Sequence, residues 1–200
     1  RSTSTTRSIP LFRSTSAALG VALLASLPWT ADAWPTQDGP NHVATAHILE
    51  RCHDEGSPFA RYLALQPVTT RSGYSLNPSN LQYVLLLLFH NFVSLTVAMK
   101  LLLSLTLAAL PLSLVLLLLR TAPERVRNVF WLLPLFSGWA LGMGFVRYLL
   151  ACVFGFLMIA FASGVRGGRR SRPWEPARGG LAAAAAAFFF CTWSHPFIAV

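Results

Sequence analysis

The stretch that decides the fold is residues 81–119, LQYVLLLLFHNFVSLTVAMKLLLSLTLAALPLSLVLLLL. As one helix it would be about 58 Å long, almost twice the roughly 30 Å hydrocarbon core of a bilayer. Lys100 lies at its centre, so the stretch is either two spans that turn at Lys100 or one long helix that is tilted or projects past the bilayer. Because no Gly, Pro or Asn flanks Lys100 to form a tight turn, we favour the long helix, with a bend at Pro111.

Two further apolar blocks, residues 129–165 and 181–200, each reach the roughly 20 residues that cross a bilayer. The last block begins with an alanine-rich run, which is typical of a helix that packs closely on another. Only 12% of the 200 residues are charged and the mean hydropathy is +0.53, whereas about 25% of a soluble domain is charged. We therefore predict an all-α integral membrane protein with about three to five membrane-embedded helices in residues 81–200.

Glycines precede Arg147, which lies near the middle of the block 129–165. Gly138, Gly142 and Gly144 favour a turn, which would make the block a short hairpin. Because the arginine-rich loops on both sides of the block would prefer the same side of the membrane, the hairpin would hold Arg147 at the opposite face. Gly138 and Gly142 also have a GxxxG spacing, which predicts close helix packing.

Arginines supply most of the positive charge behind the net charge of +9, and many of them flank the apolar blocks. At these positions their side chains would meet anionic lipid headgroups, and bound phospholipid such as cardiolipin is expected. The predicted headgroup contacts are Arg120, Arg125, Arg127, Arg166, Arg169 and Arg170. No basic stripe with interleaved aromatic residues lies apart from the apolar blocks, so nucleic-acid binding is not expected.

The N-terminal part divides into two segments. Residues 1–33 are rich in Arg, Ser and Thr, have a single acid near their end and contain an apolar run, so we interpret them as a retained organelle-targeting-like segment with a short apolar helix at an interface. Residues 34–80 are polar and rich in Pro, Gly, Asn and Ser, with helical candidates at 42–51 and 58–65. They have too few large aliphatic residues to form a core, so we expect an extended, loop-rich arm against neighbouring subunits.

No sequence motif indicates an enzyme. GxSxG, HExxH, P-loop and GxGxxG patterns are absent, as are CxxC and CxxCH. His42, His47 and Cys52 are five residues apart, a spacing that does not bring them onto one helical face, so no metal site is predicted. We expect a protein that is not itself catalytic and has no predicted cofactor.

His90 lies halfway along an apolar stretch, where polar side chains are costly and often functional. It can be hydrogen-bonded within the helix bundle, act as an axial ligand to haem or chlorophyll, or take part in proton or quinone chemistry. A haem with two histidine ligands would need a second one, for which His195 is the candidate in an apolar block.

Arg147 stays charged and needs a partner, water or a headgroup. A long apolar helix with one central arginine resembles the proton-channel subunit of rotary ATP synthases, in which an essential arginine faces the carboxylates of a ring. The resemblance covers about 35 residues, and it implies a proton-path role for Arg147. That family usually follows its arginine with an Asn and a Gly-His pair, whereas YLLACVFGFLM follows Arg147 here.

These observations favour a non-catalytic accessory membrane subunit of a large energy-converting complex, either respiratory chain or ATP synthase, in the mitochondrial inner membrane. The alternative is a directly functional subunit, using Arg147 in a proton path or His90 to ligate pigment in a plastid thylakoid photosystem. Because His90, Lys100 and Arg147 have few acids near them in the sequence, we expect other subunits to supply their partners. The chain is therefore not expected to be stable as a free monomer.

Overall fold

The computed structural model describes residues 11–32, 36–51, 54, 56–59, 80–129, 131, 134, 138–163 and 178–194. These residues are mainly helical and include no strand, which confirms the all-α prediction for this part of the chain. The helices are α1 (Leu11–Ser26), α2 (Gly39–Arg51), α3 (Leu81–His90), α4 (Leu95–Thr121), α5 (Trp139–Gly142), α6 (Val146–Ala162) and α7 (Arg178–Ser194). Short 3-10 turns follow α1 at Leu27–Trp29 and α4 at Pro123–Asn128.

Helix α4 is the central element of the bundle. Its 27 residues make it the one helix in the described part of the chain that is long and apolar enough to cross a membrane. The core helix of a soluble protein meets the same criterion, so this observation alone is weak evidence for a membrane protein. One side of α4 is buried against the other helices through Met99, Leu103 and Leu107, among others.

The expectation of one long helix over residues 81–119 is wrong, and so is the alternative turn at Lys100. The chain breaks at residues 91–94, between α3 and α4. Ser94 has an extended backbone and its hydroxyl accepts a hydrogen bond from Val97 N, so it forms the N-cap of α4. The Asn91 side chain donates to Leu88 O at the end of α3. Lys100 therefore lies near the start of α4, and Pro111 is accommodated inside that helix.

Helices α4 and α6 run in the same direction. The guanidinium of Arg120 donates to Ala160 O at 2.8 Å, which joins the C-terminal ends of the two helices. At the other end α2 contacts both the first half of α4 and Gly144, which precedes α6. Since α4 and α6 are parallel, the chain returns from the Arg120 end of the bundle to the Gly144 end before α6 begins.

This return agrees with the predicted turn before Arg147. The chain turns at residues 143–145, and Arg147 lies at the opposite end of the bundle from Arg120. Ser163, which precedes the second arginine cluster, lies at the end of α6 that Arg120 contacts. The arginines of the second cluster lie outside the described residues, so the expectation that both clusters share one side stays a prediction.

The last apolar block forms α7, which packs antiparallel to α6. The Cys191 thiol, near the end of α7, lies 3.4 Å from Ala151 O, near the start of α6. Gly180, near the start of α7, lies close to Phe161 O at the end of α6. The short apolar helix predicted near the N-terminus is present as α1, and it packs along α4.

The prediction of an extended arm is wrong for residues 39–51. They form α2, which overlaps the helical candidate at 42–51 and packs inside the chain against α3 and α4. Ala46 is fully buried there, so α2 is part of the bundle and is packed without a contact from another subunit. Pro58 and Phe59 are helical, and residues 60–65 of the second candidate lie outside the described part.

The packing role predicted for Gly138 and Gly142 is not found. Helix α5 has four residues, so the pair does not form one face of a long helix. A Cβ atom added at Gly142 would meet no atom of the described residues within 4 Å. The position at which the backbone requires glycine is Gly144, whose φ is +83°.

Candidate functional site

A hydrogen-bonded polar cluster lies where α2, α3 and the start of α6 meet, and its centre is His42. The His42 Nε2 lies 3.3 Å from Gly144 O, and Nδ1 lies 2.9 Å from Gln82 Nε2 and 3.2 Å from Tyr83 Oη. Since a carbonyl oxygen only accepts, Nε2 carries the proton and Nδ1 accepts from Gln82 and Tyr83. The neutral imidazole satisfies this arrangement completely, so the cluster joins three elements without a formal charge on His42.

Gly144 allows the loop before α2 to dock on the turn before α6. Gln37 N donates to Gly142 O and Asp38 N donates to Met143 O, at 3.1 and 3.2 Å. A Cβ atom at Gly144 would lie 3.0 Å from both the backbone nitrogen and the Cβ of Asp38. The left-handed backbone and the close approach both require glycine at this position.

Electrostatics also favour a neutral His42. Burial, chiefly, and then the nearby Arg147 guanidinium lower its pKa below 6.5, while the Gly144 carbonyl and Asp38 act in the opposite direction. The amide of Gln82, which is only 1% exposed, has a buried Oε1 with no hydrogen-bond partner in the described part of the chain. The cluster is therefore a largely buried network in which most polar atoms have hydrogen-bond partners.

Acidification is expected to destabilise the packing of α2. In the unfolded chain His42 has its ordinary pKa near 6.5, so that state takes up a proton first as the pH falls. The stability due to His42 is complete above about pH 6.5 and is lost as the pH falls from there through the lower pKa of the folded state. Unfolding of the full chain in mild detergent, followed by circular dichroism from neutral to acidic pH, measures this loss.

The matched variant is His42→Gln, which places a hydrogen-bonding amide at this position that does not titrate. We expect it to be less stable than the wild-type chain at neutral pH and to lose the part of the acid dependence that begins near pH 6.5. An unchanged acid profile in His42→Gln would show that another group is responsible.

The structure places His90 at the C-terminal end of α3, with an acceptor beside each ring nitrogen. Nδ1 lies 2.9 Å from Val93 O, and Nε2 lies 3.2 Å from the Glu50 carboxylate of α2. Both ring nitrogens of His90 therefore face acceptors that the chain itself supplies. Of the interpretations left open for His90, this geometry favours hydrogen bonding within the bundle, since a haem or chlorophyll would have to displace Glu50 or Val93 O.

Lys100 also has a partner within the chain. Its Nζ donates to Ala31 O at 2.6 Å and lies 5.7 Å from the centre of the Trp29 ring. The Trp29 indole N–H in turn donates to Ser104 Oγ at 2.9 Å. For His90 and Lys100, the expectation that the chain cannot supply partners is therefore wrong, because long-range folding brings Glu50 and Ala31 to them.

Arg147 lies in the first turn of α6, beside the His42 cluster. It is not at the centre of a long apolar helix, because the turn at Gly144 separates it from the preceding residues. The resemblance to the proton-channel subunit rests on an arginine at the centre of a long apolar helix, and Arg147 does not have that position. The proton-path role of Arg147 remains a prediction.

The arginines predicted to bind lipid headgroups lie at the other end of the bundle where the structure describes them. Arg125 is well exposed, and Arg127 is exposed too. Arg120 donates to Ala160 O and covers the Phe161 ring at 4.9 Å, so only part of its guanidinium is available. Arg166, Arg169 and Arg170 lie outside the described residues, as does His195.

Sequence reasoning missed the His42 cluster. His42 was considered only as a possible metal ligand, and within the described residues no group of three or more His, Cys, Asp and Glu side chains could hold a metal ion. Gln82, a polar residue in an apolar run, was the available signal.

The chain matches no protein-family model, no curated protein and no solved structure. Any function must therefore be argued from this geometry.

Proposed function

We propose that the protein is an integral membrane protein, with α1, α4, α6 and α7 embedded in the bilayer, and that it is a non-catalytic accessory subunit of a large energy-converting complex. The compartment we propose is the mitochondrial inner membrane, and the role is packing, lipid binding or assembly. Sequence composition supports the compartment, since residues 1–33 are of the targeting type. The helical geometry supports the membrane placement.

The observation that carries the membrane placement is the spacing of charges on α4. Lys100 and Arg120 are about 30 Å apart along the helix, which is the thickness of the hydrocarbon core. Every residue between them is uncharged. Arg147 and Ser163 bracket α6 at the corresponding ends, over about 25 Å. Two planes of polar groups thus enclose an apolar slab of bilayer thickness.

The outer surface of this slab is also apolar. The exposed large side chains of α4, α6 and α7 between the two planes include Leu105, Leu112, Leu119, Ile159, Phe188 and Phe189. Large exposed apolar side chains on three neighbouring helices suit lipid or another membrane helix. Trp29 beside Lys100 adds the aromatic residue that membrane interfaces favour.

The non-catalytic role is supported by the way in which the polar side chains are used. His42 bonds to Gln82, Tyr83 and Gly144, while His90 bonds to Glu50. These bonds join α2 to α3 and α6, so the polar groups act in packing. Such a network rigidifies a small helical bundle, which suits a subunit that supports others.

The experiment is to isolate the tagged full chain from its native membranes in mild detergent and identify the co-purifying proteins by mass spectrometry. We expect it to resist extraction by alkaline carbonate and to migrate with the subunits of one respiratory or ATP synthase complex. Purification with a photosystem would replace the mitochondrial proposal by the plastid one. Recovery as a free monomer would contradict the subunit role.

The two ends of α4 are expected to face opposite sides of the membrane. Single cysteines introduced as Glu124→Cys and Phe92→Cys lie at exposed positions beyond Arg120 and Lys100, respectively. In sealed vesicles a membrane-impermeant maleimide should label one of them from outside and the other only after permeabilisation. The unaltered chain, whose own cysteines are Cys52, Cys152 and Cys191, gives the background. Labelling of both sites from the same side would contradict a single crossing by α4.

A further inference from the structure

A pocket of about 460 Å³ lies between α2 and the first half of α4. This volume is within the range of roughly 300–1,000 Å³ that is usual for small-molecule sites. Its walls are largely apolar, formed by Val43 and Ala44 on one side and Met99 and Leu103 on the other. Such a wall is complementary to an alkyl chain.

The polar groups of the pocket carry positive charge or hydrogen-bond donors. Lys100 lines it, and its ammonium group uses one donor on Ala31 O, which leaves two of its three N–H groups. His47 lies on the opposite wall. Among the described residues that line the pocket no carboxylate is present, and Glu50 lies beyond His47 and faces the two histidines His47 and His90. The pocket is therefore complementary to an anion.

We infer that this pocket binds an anionic phospholipid of the bilayer, with the phosphate at Lys100 and the first acyl carbons against the wall formed by Val43 and Leu103. The inference rests on the proposed membrane residence, which puts Lys100 at the headgroup level, but not on membership of any complex. The site lies at the end of the bundle opposite Arg120, so it is distinct from the arginine clusters. Its acyl contacts involve α2, so the bound lipid would hold α2 on α4.

The test uses the full chain in phosphatidylcholine nanodiscs that contain a small share of photoactivatable phosphatidylglycerol, or of the equally labelled phosphatidylcholine. Cross-linked peptides are mapped by mass spectrometry. We expect cross-links on α2 and the first half of α4, with a preference of about fivefold for phosphatidylglycerol, the size usual for one basic residue near a membrane surface.

Four variants separate charge from shape. Lys100→Gln should abolish the preference for phosphatidylglycerol, whereas Lys100→Arg should retain it. Ala44→Trp fills the pocket from an exposed lining position and should reduce cross-linking of both lipids several-fold. Ala185→Trp, the same change at an exposed position of α7 outside the pocket, should have no effect.

Equal labelling by the two lipids in the wild-type chain, or a preference that survives Lys100→Gln, would overturn the inference. So would displacement of the cross-links by oleate without any phosphatidylglycerol preference, which would indicate a fatty-acid site. Failure here is distinguishable from failure of the proposed function. If the chain resists carbonate extraction but shows no lipid preference, only the proposed lipid site is contradicted. If carbonate releases the chain, the proposed membrane placement is contradicted.

Discussion

Replacing Gly144 with alanine is expected to destabilise the fold by about 2 to 4 kcal/mol. Its φ of +83° lies in the left-handed region, where any other L-residue is strained by roughly 1–2 kcal/mol. The new Cβ would also lie 3.0 Å from Asp38 N, a backbone atom that donates to Met143 O. The loop before α2 would have to move away from the turn. Equilibrium unfolding of the full chain in detergent measures the change.

Gly142→Ala is the matched control, because it makes the same chemical change two residues earlier. A Cβ there meets nothing within 4 Å, and alanine is the better helix former at the end of α5. We expect this variant to be unchanged or more stable by up to about 1 kcal/mol. Equal destabilisation by the two substitutions would contradict the docking of Asp38 on this turn.

The structural change in Gly144→Ala should also affect the hydrogen bonding of His42. The imidazole bonds to Gly144 O, so displacement of this turn would leave a buried ring nitrogen unpaired. Because the Gly144 carbonyl raises the His42 pKa, loss of this bond lowers that pKa further, so the acid dependence that begins near pH 6.5 should increase in Gly144→Ala, whereas it is lost in His42→Gln. These opposite changes in the two variants follow from their shared hydrogen bond and would not arise from strain alone.

Much of the helical content could be predicted from the sequence, because runs of leucine and alanine determine it locally. Residues 81–119 and 181–200 are apolar enough to require helices, and α3, α4 and α7 are found there. The break at residues 91–94 was missed because no Gly or Pro marks it. A Ser at position 94 can cap a helix, but its capping signal is weak within an apolar run.

The polar contacts could not be predicted, because they join residues far apart in the sequence. Glu50 meets His90, and Ala31 O meets Lys100, only after α2 and the segment following α1 have packed on the bundle. Counting acids close in sequence to each basic residue therefore gave the wrong result. The glycine pattern had the same limit: the turn near residue 144 was predictable, but the contact of Gly144 with Asp38 required the fold.

Replacing Leu112 with arginine is expected to lower the equilibrium constant for insertion of α4 into the bilayer by about two orders of magnitude. Leu112 lies on α4 between Lys100 and Arg120, and 55% of its surface is exposed. If that surface faces lipid, a central arginine costs about 2.5–3.5 kcal/mol. On a water-exposed helix the same change would be nearly neutral, within about 0.5 kcal/mol. Protease protection and carbonate extraction of the newly synthesised chain measure the inserted fraction.

Phe92→Arg is the control for the added charge, since Phe92 is 83% exposed in the turn before α4, beyond Lys100. It should insert as the wild-type chain does. Leu112→Phe then distinguishes lipid from a covering protein helix. Fluid lipid accommodates the larger side chain, whereas a packed protein interface would lose roughly 1–3 kcal/mol through overpacking. Normal insertion of Leu112→Arg would contradict the placement of this face in the bilayer, and a loss in both Leu112 variants would assign the face to a neighbouring subunit.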